Sequence, residues 1–186
     1  MSALDDPRPP APDTAAEPEG RPAPGEPRES APSGAEGPIR VLFVCTGNSA
    51  RSILAEALLR QKGGAAFEVH SAGTEPKGIH PLTRRVLEEA RIPTEGLRSK
   101  SVEEYLGQHF DYVITVCDRA RQVCPVFPGE HESLHWGYDD PAAVEGPEEV
   151  RLAAFRKTML AMGERIGQFV TVARRASRER RLAQGT

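Results

Sequence analysis

From Ile39 onward the chain alternates short apolar runs with stretches of helical periodicity, and that alternation restricts the fold more than any other feature. "IRVLFV", starting at Ile39, is the nearly continuous apolar type of strand that a parallel sheet buries on both faces. "SILAEALLRQK" repeats apolar residues at helical spacing and stops at Gly63-Gly64. "FEVHSAG" reads as a second strand, and "PLTRRVLEEARI" as a helix with Pro81 in its first turn and Pro93 beyond its end. "SVEEYLGQ" predicts a short helix with Ser101 and Glu104 as a capping box. "DYVITVC" is a third strand, "SLHW" a short fourth one inside a long loop over 118–147, and the last helix is predicted from about Glu148 to Arg175. Strands separated by helices imply right-handed crossovers and a doubly wound α/β fold, a three-layer sandwich on a four-stranded parallel sheet. Ligands of such sheets bind beyond the carboxyl ends of the strands, where Cys45 and Cys117 fall.

Residues 1–38 stand apart, with ten of the seventeen prolines, no aromatic residue, and eight acidic against three basic side chains. Such a segment cannot bury enough apolar surface to offset its conformational entropy, so it is expected to be disordered. The expected organisation is this extension over 1–38, a folded domain over 39–175, and a basic tail over 176–186. The folded part is nearly neutral, which gives no nucleic-acid footprint, and the closing "RRASRERR" reads as a solvated helix end. No apolar run approaches the ~20 residues of a membrane span, and no secretory signal opens the chain. A cytoplasmic monomer with no membrane or nucleic-acid partner is therefore expected. The three cysteines, Cys45, Cys117 and Cys124, are an odd count that argues against a disulfide framework and leaves thiol chemistry or burial.

The chemistry concentrates in "VCTGNSARS", where Cys45 is followed by Arg51 in a Cys-x5-Arg loop between strand and helix. Backbone N–H groups of Thr46, Gly47, Asn48, Ser49, Ala50 and Arg51 can converge there, and the helix starting near Arg51 adds its positive end. Gly47 is expected to supply unusual backbone torsions, Asn48 to cross-brace the loop, and the Arg51 fork to match two oxygens of a tetrahedral oxyanion. The same environment predicts a depressed pKa and a nucleophilic thiolate at Cys45, with Ser52 donating to the sulfur. A Walker-type loop is excluded, because no Gly-Lys-Ser/Thr follows Gly47.

"VCTGNSARS" resembles the active-site loop of the low-molecular-weight protein tyrosine phosphatase fold, and more closely that of the arsenate reductases built on it. The resemblance continues through "SAG" (71–73), "IPTEGLRSKS" (92–101), "VITVCDRARQVCPVFPG" (113–129) and "HWGYDDPA" (135–142), covering about residues 39–170. It implies that Asp140, directly before Pro141, is the general acid. It further implies a relay in which Cys45 attacks arsenate, Cys117 attacks Cys45 to release arsenite, and Cys124 carries the resulting disulfide outward. The thioredoxin-coupled type is favoured, with glutaredoxin and glutathione as the other donor, and no cofactor beyond an external thiol is expected. Cys117 and Cys124 flank "DRARQV", one or two helical turns; seven helical positions span ~10.5 Å, too far for a disulfide, so a relay requires this segment to unwind.

Some thioredoxin-coupled relatives carry a potassium site, and Asn48, Glu56 and Ser71 fit that pattern. Lys100 falls near the position of a further acidic ligand, so an ammonium could take the ion's place and no ion is expected. Ala50 stands where some relatives have cysteine. The rival enzyme is a tyrosine phosphatase using Cys45, Arg51 and Asp140; its pockets usually carry an aromatic residue where this chain has Ala142. A third reading is a non-catalytic oxyanion-binding domain. A zinc site from Cys117, Cys124, His131 and His135 is set aside, because six residues between the cysteines exceed the spacing structural zinc prefers.

Overall fold

A computed structural model describes residues 37–184. The expectation for residues 1–38 falls, apart from Gly37 and Pro38, outside the described residues. The elements are β1 (Ile39–Cys45), α1 (Arg51–Gly63), β2 (Phe67–Gly73), α2 (Pro81–Glu89), β3 (Tyr112–Thr115), α3 (Asp118–Val123), β4 (Glu132–His135) and α4 (Glu148–Gln184). All strand pairs are parallel, in the order β2-β1-β3-β4. The α/β sandwich on a four-stranded parallel sheet is as the alternation predicted.

The central position of β1 follows from its composition. Leu42, Phe43 and Val44 are fully buried, which only a strand covered on both faces allows. The edge strand β4 is the most exposed of the four. On one face Phe43 packs on Trp136, while Phe169 of α4 meets Trp136, Phe67 and Tyr112 at ring separations of 5.0–6.2 Å. On the other face His70 meets Tyr105 and Phe110, and Phe110 meets Phe127 edge-on. That side is covered by the 3-10 turn Val102–Tyr105 and irregular segments. The crossover from β1 leads to β2 on one side, and the chain then passes to β3 on the other. The carboxyl ends of β1 and β3 therefore border the switch point where this class of sheet binds ligands.

Several boundaries differ from the sequence reading for local reasons. Helix α2 ends at Glu89 because Arg91 adopts a left-handed φ of 54° and turns Ile92 into the core. The β3 ladder closes at Thr115, and the chain enters α3 three residues later, at Asp118. "SVEEYLGQ" forms only the one 3-10 turn, although Ser101 does accept from the Glu103 N–H and Glu104 receives the Ser101 N–H. Helix α4 runs on to Gln184, past Arg175. Its basic end folds back on the domain: Arg180 lies 3.9 Å from Asp111 and 4.0 Å from Glu132, and Arg181 donates to the Gly37 carbonyl.

His80 caps α2. Its Nδ1 accepts from the Leu82 N–H at 3.1 Å while the ring stacks on Phe155. An acceptor nitrogen must be unprotonated, and burial together with the Arg151 charge lowers the His80 pKa. The unfolded chain therefore binds the extra proton first. The His80 contribution is complete above about pH 6.5 and declines as pH falls below it. Replacing His80 with Asn keeps a capping acceptor and removes the titration. Denaturant midpoints of His80→Asn between pH 7 and 5 should fall less steeply than those of the wild type.

Candidate active site

Residues 45–52 form a loop between the carboxyl end of β1 and the start of α1. Helix α1 begins at Arg51, and no side chain caps it at Ala50, so the N–H groups of its first turn stay available to an anion in the loop. Cys45 lies buried beneath. Its Sγ receives the Asn48 N–H at 3.1 Å, the Ser52 backbone N–H, and a contact of 2.9 Å with the Ser52 hydroxyl. Two backbone constraints shape the loop. Asn48 holds a left-handed φ of 41°, which asparagine tolerates better than most residues. Gly73, at the end of β2, approaches so closely that a Cβ there would stand 2.6 Å from the Thr46 carbonyl oxygen and 2.9 Å from the Asn48 nitrogen. Gly47 does not have a positive φ, contrary to the expectation of unusual torsions; the residue with that backbone is Asn48.

The Asn48 side chain is fully buried and connects four segments. Its Nδ2 donates to Ser52 Oγ and to Ser71 Oγ, both at 2.8 Å, and its Oδ1 accepts from the Lys100 N–H at 2.7 Å. Ser71 Oγ in turn donates to Glu56. Glu56, fully buried, pairs with Lys100 Nζ at 3.0 Å and with Arg60. The chain has a fixed direction. A carboxylate only accepts, so Ser71 gives it a proton and takes the Asn48 N–H. Ser52 takes the other Asn48 N–H, which leaves its own hydroxyl proton for Cys45 Sγ. Asn48, Glu56 and Ser71, the residues matching an ion-site pattern, are thus in mutual contact, with the Lys100 ammonium against Glu56. Burial pulls the Lys100 pKa down and Glu56 pushes it back.

Arg51 points across the loop. Its Nη2 lies 2.9 Å from Asp140 Oδ2, and its Nη1 donates to the Tyr138 carbonyl at 3.0 Å. The other Asp140 oxygen accepts the Ala142 N–H, which fixes the turn after Pro141. Cys117 stands at the carboxyl edge of β3. Its Sγ lies 3.4 Å from Thr46 Oγ1 and accepts the Ala120 N–H at 3.4 Å, so the thiol caps α3. Cys124 terminates the same helix and is half-buried. All three cysteines are free. Within α3 only Ala120 is buried, and exposed pairs Arg119–Glu75 and His135–Asp118 hold its first turn. So short a helix with so little apolar burial has little to resist unwinding.

One electrostatic expectation is reversed. Burial raises the Cys45 pKa, and the donors from Ser52 and Asn48 only partly counter it. The guanidinium expected to stabilise the thiolate is engaged by Asp140 and the Tyr138 carbonyl instead. Burial likewise pushes the Cys124 thiol up.

The family model for low molecular weight phosphotyrosine protein phosphatases matches residues 40–180. The chain belongs to that family. Among curated relatives, an arsenate reductase of Halalkalibacterium halodurans is 39% identical over 129 residues, which are 69% of this chain and 93% of that one. A solved thioredoxin-dependent arsenate reductase of Corynebacterium glutamicum is 30% identical with a TM-score of 0.56, covering 75% of this chain and 65% of its own. Another, an arsenate reductase in a phosphate-binding state, is 27% identical with a TM-score of 0.55, covering 72% and 97%.

One feature of this phosphatase-family site escaped the sequence reading. Gly73 was quoted only as part of "SAG", and the one signal for it was a glycine ending a strand beside the loop. The Glu56–Lys100 pair joins residues far apart in the chain, and the family resemblance, which put the Lys100 ammonium where an ion would sit beside Glu56, pointed to it. Replacing Gly73 with Ala should disable the loop, costing about 1–3 kcal/mol in stability and most of the activity; a circular dichroism melt alongside turnover measures both. Lys100→Met should cost about 3 kcal/mol by leaving Glu56 to Arg60 alone, and Glu56→Gln added to it should recover part of that loss. A double variant no more stable than Lys100→Met would remove the ion pair from this account.

Proposed function

We propose that the protein is an arsenate reductase, converting arsenate to arsenite by a thiol relay through Cys45, Cys117 and Cys124. The observation that carries this reading is the placement of the thiols. Cys45 underlies the oxyanion loop, Cys117 contacts Thr46 of that loop, and Cys124 ends the short helix that Cys117 begins. A phosphatase of this fold requires Cys45, Arg51 and Asp140 and has no use for two further cysteines.

The steps follow from the groups in reach. The loop N–H groups of 46–51 other than that of Asn48, which is given to Cys45 Sγ, and the Arg51 fork bind the oxyanion. Cys45 Sγ attacks arsenic as thiolate, its proton passing by way of the bound dianion to the Asp140 carboxylate, and Asp140 returns that proton to the oxygen that leaves as water. The Ser52 hydroxyl, aimed by Asn48, steadies the thiolate and later accommodates the sulfur as leaving group. Cys117 Sγ then attacks Cys45 Sγ. The Cys45–Cys117 disulfide forms, the sulfur–arsenic bond breaks, and its electron pair departs with arsenic as arsenite. Cys124 attacks Cys117, which frees Cys45 and leaves a Cys117–Cys124 disulfide. Seven helical positions hold these two residues ~10.5 Å apart, so α3 must unwind for this bond to form.

An external dithiol protein of the thioredoxin type would return the two electrons, and the reaction needs no resident cofactor. A groove of about 410 Å³ beside Cys124, lined by Thr74, Val102, Leu106, Arg119, Val123 and Pro125, fits such a partner. Leu106 and Val123 on its wall are 50% and 55% exposed, with Glu75 and Glu103 at the same groove. The requirement for three free thiols suits a reducing cytoplasm, and the reaction would serve arsenic detoxification.

The relay is tested by arsenate turnover of the three Cys→Ser variants with thioredoxin supplied. Cys45→Ser and Cys117→Ser should be inactive. Cys124→Ser should complete one arsenite release and stop. If Cys117→Ser turns over like the wild type, the relay is wrong. Retained turnover of Cys124→Ser with glutaredoxin and glutathione assigns the other donor, and rapid phosphotyrosine hydrolysis without arsenate reduction assigns a phosphatase.

A further inference from the structure

We propose that Lys77 is a substrate-capture residue, its ammonium meeting the oxygens of a bound oxyanion that face out of the loop. The proposal rests on the reading of residues 45–52 as an oxyanion loop and adds a second cation to it. Lys77 is exposed, but its backbone is not free to wander. The segment after β2 is laced along the loop by four backbone hydrogen bonds: Thr74 N–H to the Cys45 carbonyl at 3.2 Å, Glu75 to Thr46 at 2.8 Å, Lys77 to Gly47 at 2.9 Å and His80 to Ser49 at 3.0 Å. Lys77 is therefore anchored directly opposite Gly47.

Its side chain lies back over the loop. The Lys77 Cδ and Cγ stand 3.7 and 3.8 Å from the point where a Cβ on Gly47 would be. Since Gly47 does not have a positive φ, its missing side chain is not explained by backbone torsion. What the glycine provides is open space at the mouth of the loop, across which the lysine stem runs.

The neighbouring charges leave this cation uncompensated. Glu75, two residues away, is held by Arg119 at 2.7 Å, and Asp140 is held by Arg51 at 2.9 Å. Among the described residues no carboxylate pairs with Lys77. A tetrahedral dianion seated on the loop N–H groups keeps at least one oxygen directed outward, and a flexible ammonium with three donors can follow it. Because the lysine is solvated, the gain is moderate, grows with the charge of the ligand and is screened by salt. Lys77 thus favours dianions over monoanions and speeds capture without taking part in bond making.

The test uses the full chain with inorganic phosphate as the probe. Phosphate protection of Cys45 from the uncharged reagent iodoacetamide is titrated at low and high ionic strength. Lys77→Gln should need about three- to tenfold more phosphate for equal protection at low salt, with the gap narrowing at high salt. Lys77→Arg should behave like the wild type. The arsenate KM of Lys77→Gln should rise by the same factor with kcat unchanged. Arg119→Gln, which releases Glu75 to pair with Lys77, should weaken phosphate likewise, and adding Glu75→Gln should reverse that. Equal protection of wild type and Lys77→Gln, or a loss confined to kcat, overturns the role of Lys77 and leaves the oxyanion loop standing. Absence of phosphate protection in the wild type overturns both.

Discussion

The site depends on a single buried amide. Asn48 Nδ2 and Oδ1 join the loop to α1 through Ser52, to β2 through Ser71, and to the segment before the 3-10 turn through the Lys100 backbone. A buried amide left unsatisfied costs about 1–3 kcal/mol for each missing partner, so these three connections stand or fall together. They also hold Asn48 in its left-handed conformation, which directs its own N–H at Cys45 Sγ. The position of the Cys45 thiol is thus set by residues from four separate stretches of chain. The charges at the far end, Glu56 with Lys100 and Arg60, give this network its polarity.

What the sequence disclosed and what it withheld divide along a physical line. β1 was legible because burial on both faces demands an unbroken apolar run, and α1 because Gly63-Gly64 stops a clear period. The contact between Ser52 and Cys45 was legible because both belong to one loop of fixed length. Gly73 was not, since its necessity comes from the approach of another segment's carbonyl and amide groups. The Glu56–Lys100 pair was legible only through the family resemblance, which put a lysine where an acidic ligand to an ion would stand. The thiol pKa at Cys45 went the other way from expectation because local pattern does not report depth of burial, nor that Arg51 would find a carboxylate partner. The length of α4 was also missed: its polar last turns lack an apolar signal and are tied to the domain by arginines.

The geometry around α3 separates two requirements that a thiol relay must reconcile. Cys117 has to sit near the oxyanion loop, and its Sγ is fixed there by Thr46 and by capping its own helix. Cys124 has to be near the surface, beside the groove. A regular helix between them meets both needs while keeping the sulfurs apart. Only one buried alanine, one exposed ion pair and one exposed hydrogen bond from His135 to Asp118 hold it, so the barrier to remodelling stays low.

The pairing of Arg51 with Asp140 changes what binding means at this site. The guanidinium fork already has an anionic occupant, a carboxylate tethered to the same chain. An incoming oxyanion that claims the fork evicts this resident, and the measured affinity is the difference between two attachments. Weakly held anions gain little from such an exchange. The eviction also sets the order of events, since Asp140 is released beside the ligand at the moment the ligand arrives. On the proposed reading, the arginine thereby acts as a latch on Asp140, opened by the oxyanion that Asp140 is to serve.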